Sequence, residues 1–147
     1  DVNSLEDVNE AFWDKRFQQI NDFEKTIHQN GTIIFKFFLN LSKDEQKHRQ
    51  LRRLEQPEKN WKFSPGDLDE RALWGEYQKC YEDAINRTSK PHSPWYLIPS
   101  DDKETSRVIV AEIMLQELKK YTDIKEPELD DDIKAKISEY RERLKND

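Results

Sequence analysis

The sequence has 147 residues and a mass of 17.8 kDa, the size of one ordinary domain. Charged residues make up 38%, against roughly 25% in an average soluble domain; hydrophobic residues make up 34%, and the mean hydropathy is −1.11. No apolar run approaches the roughly 20 residues that span a bilayer, which excludes a membrane protein. Four Trp, five Tyr and seven Phe are available for burial, so the composition is not that of a disordered chain. The balance of 25 basic and 31 acidic residues leaves −6, giving no bulk reason to expect nucleic acid or an anionic membrane. The basic residues are unevenly placed: Lys43 to Lys62 carries seven Lys/Arg and four Asp/Glu, a local +3 against −9 elsewhere.

One cysteine, Cys80, excludes an internal disulfide and fits a reducing, cytoplasmic setting. The opening Asp1-Val2-Asn3-Ser4 has neither a basic-then-apolar leader nor an initiator Met, so a processed chain or part of a longer one is expected.

In chain order, Trp13, Phe17, Ile20 and Ile27, with Phe12 and Phe23, recur at helical spacing from about Val8. Asn30-Gly31 tolerates the left-handed turn that would end this helix. Thr32 to Leu39 is β-branched and aromatic on both faces, the pattern of a central strand in a parallel sheet, with Lys36 inside it. Ser42 and Glu45 read as a capping box opening a helix that stops before Pro57. After the turn at Trp61 to Gly66, Asp67 caps a longer helix to about Arg87, with Leu73, Trp74, Tyr77, Tyr81, Ala84 and Ile85 as its apolar stripe. Pro91 and Pro94 bracket a loop, and Trp95 to Ile98 is a second strand closed by Pro99. Asp101 and Glu104 repeat the capping pattern for a helix to about Tyr121. Beyond the acidic linker at Glu126 to Asp130, Ile133, Ile137, Tyr140 and Leu144 mark a last amphipathic helix, its acids first and its bases last. Two strands joined by a crossover of more than fifty residues predict a parallel α/β arrangement. Two strands alone make a weak sheet, so further strands from elsewhere are expected.

Arg49, Arg52 and Arg53 fall within one helical arc of about 100°, opposite Leu51 and Leu54. With Lys62 just beyond, they form either a multidentate oxyanion receptor or a solvated face paired with Glu45 and Glu55. Lys36 in an apolar strand needs a carboxylate partner, or a place near the strand's carboxyl end facing a ligand. Asp101, Lys103 and Arg107 follow the second strand, where open parallel sheets bind ligands; a helix cap with surface bases has the same local sequence. His28, His48 and His92 are scattered without zinc-ligand spacing, and His28 and His92 read as surface residues. Trp61, Trp74 and Trp95 read as core anchors. No glycine-rich phosphate loop is present, since Gly31, Gly66 and Gly75 lie far apart.

The run Gly31 to Leu39, followed by Ser42 to Gln46 and Arg49, resembles the polyphosphate kinase 2 family. The likeness continues through Pro57 to Asp67, Trp74, Tyr77, Arg87-Thr88, Pro94-Trp95, Ile98-Pro99 and Asp101 to Lys103, in the family's order and spacing, over about Phe12 to Tyr121. The resemblance implies the C-terminal part of a P-loop kinase-like parallel sheet, with residues 1–121 as the family-like portion, 42–88 as the lid region and 122–147 as linker and final helix. It implies phosphoryl transfer between inorganic polyphosphate and a nucleoside mono- or diphosphate, with Mg2+, in a cytoplasmic homo-oligomer. It assigns polyphosphate contacts to Arg49, Arg53 and Lys62, and a phosphate-proximal place to Lys36, Asp67, Asp101, Lys103 and Arg107; Arg52 falls where the family varies. The family's phosphate-binding loop and magnesium-holding aspartates lie upstream of where this sequence begins, so the chain alone is expected to be catalytically inert. The alternative is a non-catalytic module that self-associates through the aromatic stripes of the helices at 8–30 and 67–87.

Overall fold

The computed structural model describes residues 8–147; the features read from Asp1 to Ser4 lie outside the described residues. The chain divides into two compact units, Asp1–Met114 and Leu115–Asp147.

Helix α1 spans Glu10–Gln29, capped by Asn9, whose Oδ1 accepts the Phe12 N–H at 3.1 Å. It ends as the sequence predicts. Gly31 takes φ 87°, its N–H donates to the His28 carbonyl at 3.0 Å, and the Thr32 N–H donates to the Ile27 carbonyl at 3.1 Å. These paired bonds satisfy helix-end carbonyls only if the residue after the cap is left-handed, which glycine adopts without a Cβ clash.

Strand β1 covers Lys36–Asn40, shorter at its start than the predicted Thr32–Leu39. Its partner β2, Trp95–Pro99, explains the difference. The two pair in parallel from Lys36 opposite Trp95 to Asn40 opposite Pro99, so residues 32–35 would need a ladder from the segment just before Trp95. That segment turns back on itself through the Lys90–Ser93 bridge, and Pro94 has no N–H to give. The Ser100 N–H donates to the Asn40 carbonyl at 3.0 Å and carries the pairing one bond further.

Between the strands lie α2 (Lys43–Glu55), a 3-10 helix (Pro57–Lys62), α3 (Gly66–Ala72) and α4 (Trp74–Thr88). The single helix expected over 67–87 is therefore two. Leu73 leaves helical geometry (φ −85°, ψ 18°) and serves both as the end of α3 and as the start of α4. Gly75, a poor helix former, lies in the first turn of the new helix. The break aims α3 at α2: Arg71 donates to the Lys43 carbonyl and to Gln46 Oε1, both at 2.7 Å.

Helix α1 packs along α4, where Arg87 pairs with Asp14 and lies 4.7 Å over the Phe17 ring. Part of both aromatic stripes is thus spent within the chain. On the other side of α4, Tyr81 meets Phe38 of β1 with ring centroids 5.0 Å apart. An open cleft of about 580 Å³ remains there, lined by Phe38, Leu39, Trp74, Tyr77 and Tyr81 with Glu70 at its side. Among the described residues Ile98 is the one buried apolar side chain, and it keeps company with the buried polar Glu24, Thr88, Ser93 and Ser100.

Helix α5 (Lys103–Leu118) follows β2. Its cap is Asp102, whose Oδ1 accepts the Thr105 N–H at 2.8 Å, rather than the expected Asp101, which is engaged elsewhere. In the second unit, α6 (Asp131–Lys145) is capped by Asp130, with Asp131 and Asp132 in its first turn and Arg143 and Lys145 in its last. Ile137, Tyr140 and Leu144 form its apolar stripe, and all three are exposed. No described helix is long and apolar enough to cross a membrane.

Candidate anion-binding site

The carboxyl ends of the two strands are where α2 and α5 begin. Ser42 caps α2 through its hydroxyl, which accepts the Glu45 N–H at 3.1 Å. In a full capping box Glu45 would return the favour to the Ser42 N–H. Here Asp101 accepts that N–H instead, at 2.7 Å, and Glu45 is free to hold Arg49 Nε at 2.7 Å. The same guanidinium donates from Nη2 to the Ser100 carbonyl at 2.8 Å and the Asp101 carbonyl at 3.1 Å. Arg49 is therefore pinned across the end of β2 by three oxygens, of which one carries charge. The Ser42 N–H holds the Asp101 carboxyl below its usual range, and the Thr105 hydroxyl and N–H do the same for Asp102.

Lys103 and Arg107 stand one turn apart in the first part of α5, both exposed. A helix start carries partial positive charge and prefers acids, so two bases there work against the dipole. The neighbouring charges act on Lys103: the Arg49 guanidinium first, then Arg52, partial burial, Arg107 and Lys59, hold its ammonium below its ordinary value. Five cations from α2, the 3-10 helix and α5 thus share one field above the sheet's carboxyl edge. Clustered cations of this kind are what a polyanion would complement.

The remaining predicted residues separate from this group. Arg53 Nη1 donates to Asp67 Oδ2 at 3.3 Å and to the Lys62 carbonyl at 3.4 Å, and Gln50 also donates to Asp67, at 3.3 Å. Lys62 lays its ammonium 5.0 Å over the Trp61 ring. Trp61 is 78% exposed, so it is no core anchor; the 3-10 helix presents it outward. Trp74 lines the aromatic cleft, and Trp95 donates Nε1 to Thr88 Oγ1 at 2.8 Å.

Lys36 lies at the other end of the sheet. It opens β1, four residues and about 13 Å from the carboxyl edge. Its Nζ donates to Glu24 Oε2 and to the Thr88 carbonyl, both at 2.7 Å, and Ser93 Oγ gives the same Glu24 oxygen a 2.7 Å bond. Glu24 is thus the carboxylate partner that the sequence called for, and Lys36 stands at the strand's start rather than at its carboxyl end. His28 and His92 face each other at 5.6 Å, and His92 Nε2 is buried without a hydrogen-bond partner, so His92 is not the surface residue expected.

Sequence reasoning set Arg52 aside and missed Lys59. The signal for Arg52 was present in its three-residue spacing from Arg49, which places both on one helix face. Lys59 comes near because Asn60 donates to the Arg53 carbonyl at 2.7 Å and the Leu54 carbonyl at 3.0 Å, folding the 3-10 helix back on α2.

The family model for polyphosphate kinase 2 matches residues 2–126, most of the chain. The protein belongs to the polyphosphate kinase 2 family. An ADP-polyphosphate phosphotransferase of Rhodopseudomonas palustris is 49% identical over 115 residues, 78% of this chain and 40% of that protein. An AMP/ADP-polyphosphate phosphotransferase of Meiothermus ruber is 45% identical over 111 residues, 76% of this chain and 42% of that protein. The crystal structure of polyphosphate kinase 2 from Arthrobacter aurescens superposes with a TM-score of 0.81 at 39% identity, covering 90% of this chain and 47% of that one. The chain thus spans less than half the length of each of these relatives. Its mostly helical α/β fold with a two-strand parallel sheet is that of a polyphosphate kinase 2 over the shared region.

Proposed function

We propose that this chain is the polyphosphate-gripping, C-terminal portion of a polyphosphate:nucleotide phosphotransferase. The observation that carries the reading is the basic group at the carboxyl edge of the parallel sheet, where Arg49, itself paired with Glu45, stands with Lys103 and Arg107, for which no acidic partner is found among the described residues. A chain of condensed phosphates supplies closely spaced negative charge that a lone carboxylate or monophosphate does not. Residues 42–88 act as the lid, with Arg49 at its hinge-side grip and Arg53, Lys62 and Asp67 on its flank; residues 122–147 are a linker and an accessory helix. In the complete enzyme the terminal phosphoryl group leaves polyphosphate for a nucleoside mono- or diphosphate, shortening the donor by one unit.

The sheet is the distal half of a P-loop kinase-like sheet, and the phosphate-binding loop comes from outside these residues. No three His, Cys, Asp or Glu side chains converge as a metal site among the described residues, and Asp101 and Asp102 are already taken by backbone N–H groups. In this reading the magnesium ligands lie with the phosphate-binding loop, outside these residues. Positioning and charge neutralisation carry phosphoryl transfer, so the isolated chain binds polyphosphate without turning it over. The protein is cytoplasmic, in keeping with its lone exposed cysteine, and oligomeric through the open aromatic cleft beside β1.

The test is calorimetric titration of the 147-residue chain with polyphosphate, alongside an assay for nucleotide formation from polyphosphate and a nucleoside diphosphate. Salt-sensitive binding with no product is the expected result. Absence of binding overturns the grip, and steady nucleotide formation overturns the inert-portion reading.

A further inference from the structure

Helix α6 begins at Asp131, beyond residue 126 where the match to the family model ends, and the anion site makes no use of it. Its four large apolar residues, Ile133, Ile137, Tyr140 and Leu144, are between 40% and 78% exposed. Their spacing of four, three and four sets them on an arc of about 60°. That is a narrow seam of the kind a coiled coil closes over, less than the roughly 100° stripe of a helix lying on a core. The edges of the seam share one sign. Lys134, Arg141 and Lys145 border one side and Lys136 and Arg143 the other, while Asp131, Asp132, Glu139 and Glu142 fall on the far face. The bases reach the seam itself. Hollows of about 410 Å³ and 360 Å³ flank the Tyr140–Leu144 ridge, the first bordered by Arg141 and Lys145, the second by Arg143 and Asp147. Lys134 pairs with Asp131 at 3.1 Å and Glu128 at 3.8 Å, and Lys145 with Glu142 at 2.8 Å. Among the described residues Lys136, Arg141 and Arg143 have no acidic partner.

When two helices pair, the edge residues of one seam meet those of the other, so their charges choose the partner. A second α6 would set base against base in parallel and antiparallel pairing alike. An anionic membrane takes up a helix by a broad apolar face, which four residues on a narrow arc do not make. A helix with acids along both edges of its own seam matches shape and charge together. We propose that α6 docks the acidic-edged amphipathic helix of a partner protein. The seam from Ile133 to Leu144 supplies the burial, and Lys136, Arg141 and Arg143 select the partner. The same bases hold copies of α6 apart. The proposal does not rest on the polyphosphate reading.

The experiment titrates the full chain, by fluorescence anisotropy at low and high salt, with two synthetic helices of identical Leu/Ile seam. One carries Glu at every edge position and the other Lys. The Glu peptide should bind at least about tenfold more tightly than the Lys peptide, and salt should narrow the gap. Ile137→Gln/Leu144→Gln should abolish binding with overall helicity retained by circular dichroism. Lys136→Glu/Arg141→Glu/Arg143→Glu should reverse the preference, which a general loss of structure would not do. Arg49→Gln should leave peptide affinity within about twofold of wild type, because the anion site takes no part. Binding to neither peptide, equal binding to both, or loss of binding on Arg49→Gln overturns the proposal. So does tighter, α6-dependent binding to phosphatidylserine vesicles, or self-association of the wild type that Ile137→Gln/Leu144→Gln abolishes.

Discussion

The Asp101 carboxylate accepts the Ser42 backbone N–H at 2.7 Å, joining residues 59 positions apart in sequence. This bond fastens the first turn of α2 to the segment leaving β2 and fixes where Arg49 can reach. Because the Ser42 N–H favours the ionised form, the Asp101 carboxyl titrates below its ordinary value of 3.8. Its stabilising effect is complete above that value and is lost as pH falls through the lower, folded-state value. Asp101→Asn should lower the melting temperature at pH 7 and bring wild type and variant together in strong acid. Thermal unfolding followed by circular dichroism at both pH values checks this; a gap that persists in acid contradicts it.

Lys103 titrates in the opposite sense. Neighbouring cations, Arg49 foremost, penalise its charged form in the folded protein, so this penalty on stability is present at neutral pH and is relieved as pH rises through the depressed value. A bound polyanion reverses the field. Polyphosphate should therefore raise the melting temperature at pH 7, less at high salt, and its affinity should fall as Lys103 loses its proton. Lys103→Arg, which keeps its charge, should flatten that fall. An affinity that is level with pH in wild type through the alkaline range contradicts the assignment.

The two arginines of the proposed lid make different contacts. Arg49 faces the sheet edge, whereas Arg53 is held by Asp67 and the Lys62 carbonyl. Arg49→Ala should cost polyphosphate affinity about tenfold, on the order of 1.4 kcal/mol, and Arg53→Ala less, since Arg53 is held on the flank by Asp67 and the Lys62 carbonyl rather than at the sheet edge. Titration of each single variant decides it; a larger effect at Arg53 would move the grip to the flank.

The Glu24–Lys36 pair is structural, with side chains 12% and 10% exposed. Lys36→Met alone should destabilise by about 3–5 kcal/mol by leaving Glu24 buried and unpaired, while Lys36→Met with Glu24→Leu should regain much of the loss. Urea unfolding measures both, and polyphosphate affinity of the folded variants should match wild type.

Phe38, Tyr77 and Tyr81 around the open cleft leave an apolar face uncovered. The isolated chain should associate reversibly at micromolar concentration, and Tyr81→Glu should shift it towards monomer. Sedimentation that shows a monomer at every concentration would contradict this use of the cleft.

Local chemistry made parts of this fold readable. Asn30-Gly31 announces its turn because one residue must be left-handed, and Ser42 with Glu45 announces a helix start because N–H groups need acceptors. The parallel pairing was legible from β-branched and aromatic runs far apart in sequence. The losses have one cause: partners distant in sequence. Asp101 reads as the cap of α5 until Ser42 claims it, leaving Asp102 to cap. The stripe from Leu73 to Ile85 suits a continuous helix, yet α3 turns at Leu73 to bring Arg71 to Gln46. Trp61 looks apolar enough for a core but sits on a 3-10 helix held down by Asn60. In the site, Arg49, Lys103 and Arg107 follow from their places after the strands, whereas the nearness of Lys59 depends on a fold-back that no local pattern encodes.

Ile98, 1% exposed, is the one buried apolar side chain among the described residues, and it lies in the strand that leads to Ser100 and Asp101 at the sheet's carboxyl edge. In deuterated solvent the amides of β2 should be the last to exchange, and those of α2 should give up their protons well before. In the proposed lid, α2 then unlatches while its anchorage stays folded, so that a bound chain of phosphates is released and regrasped without the protein coming apart.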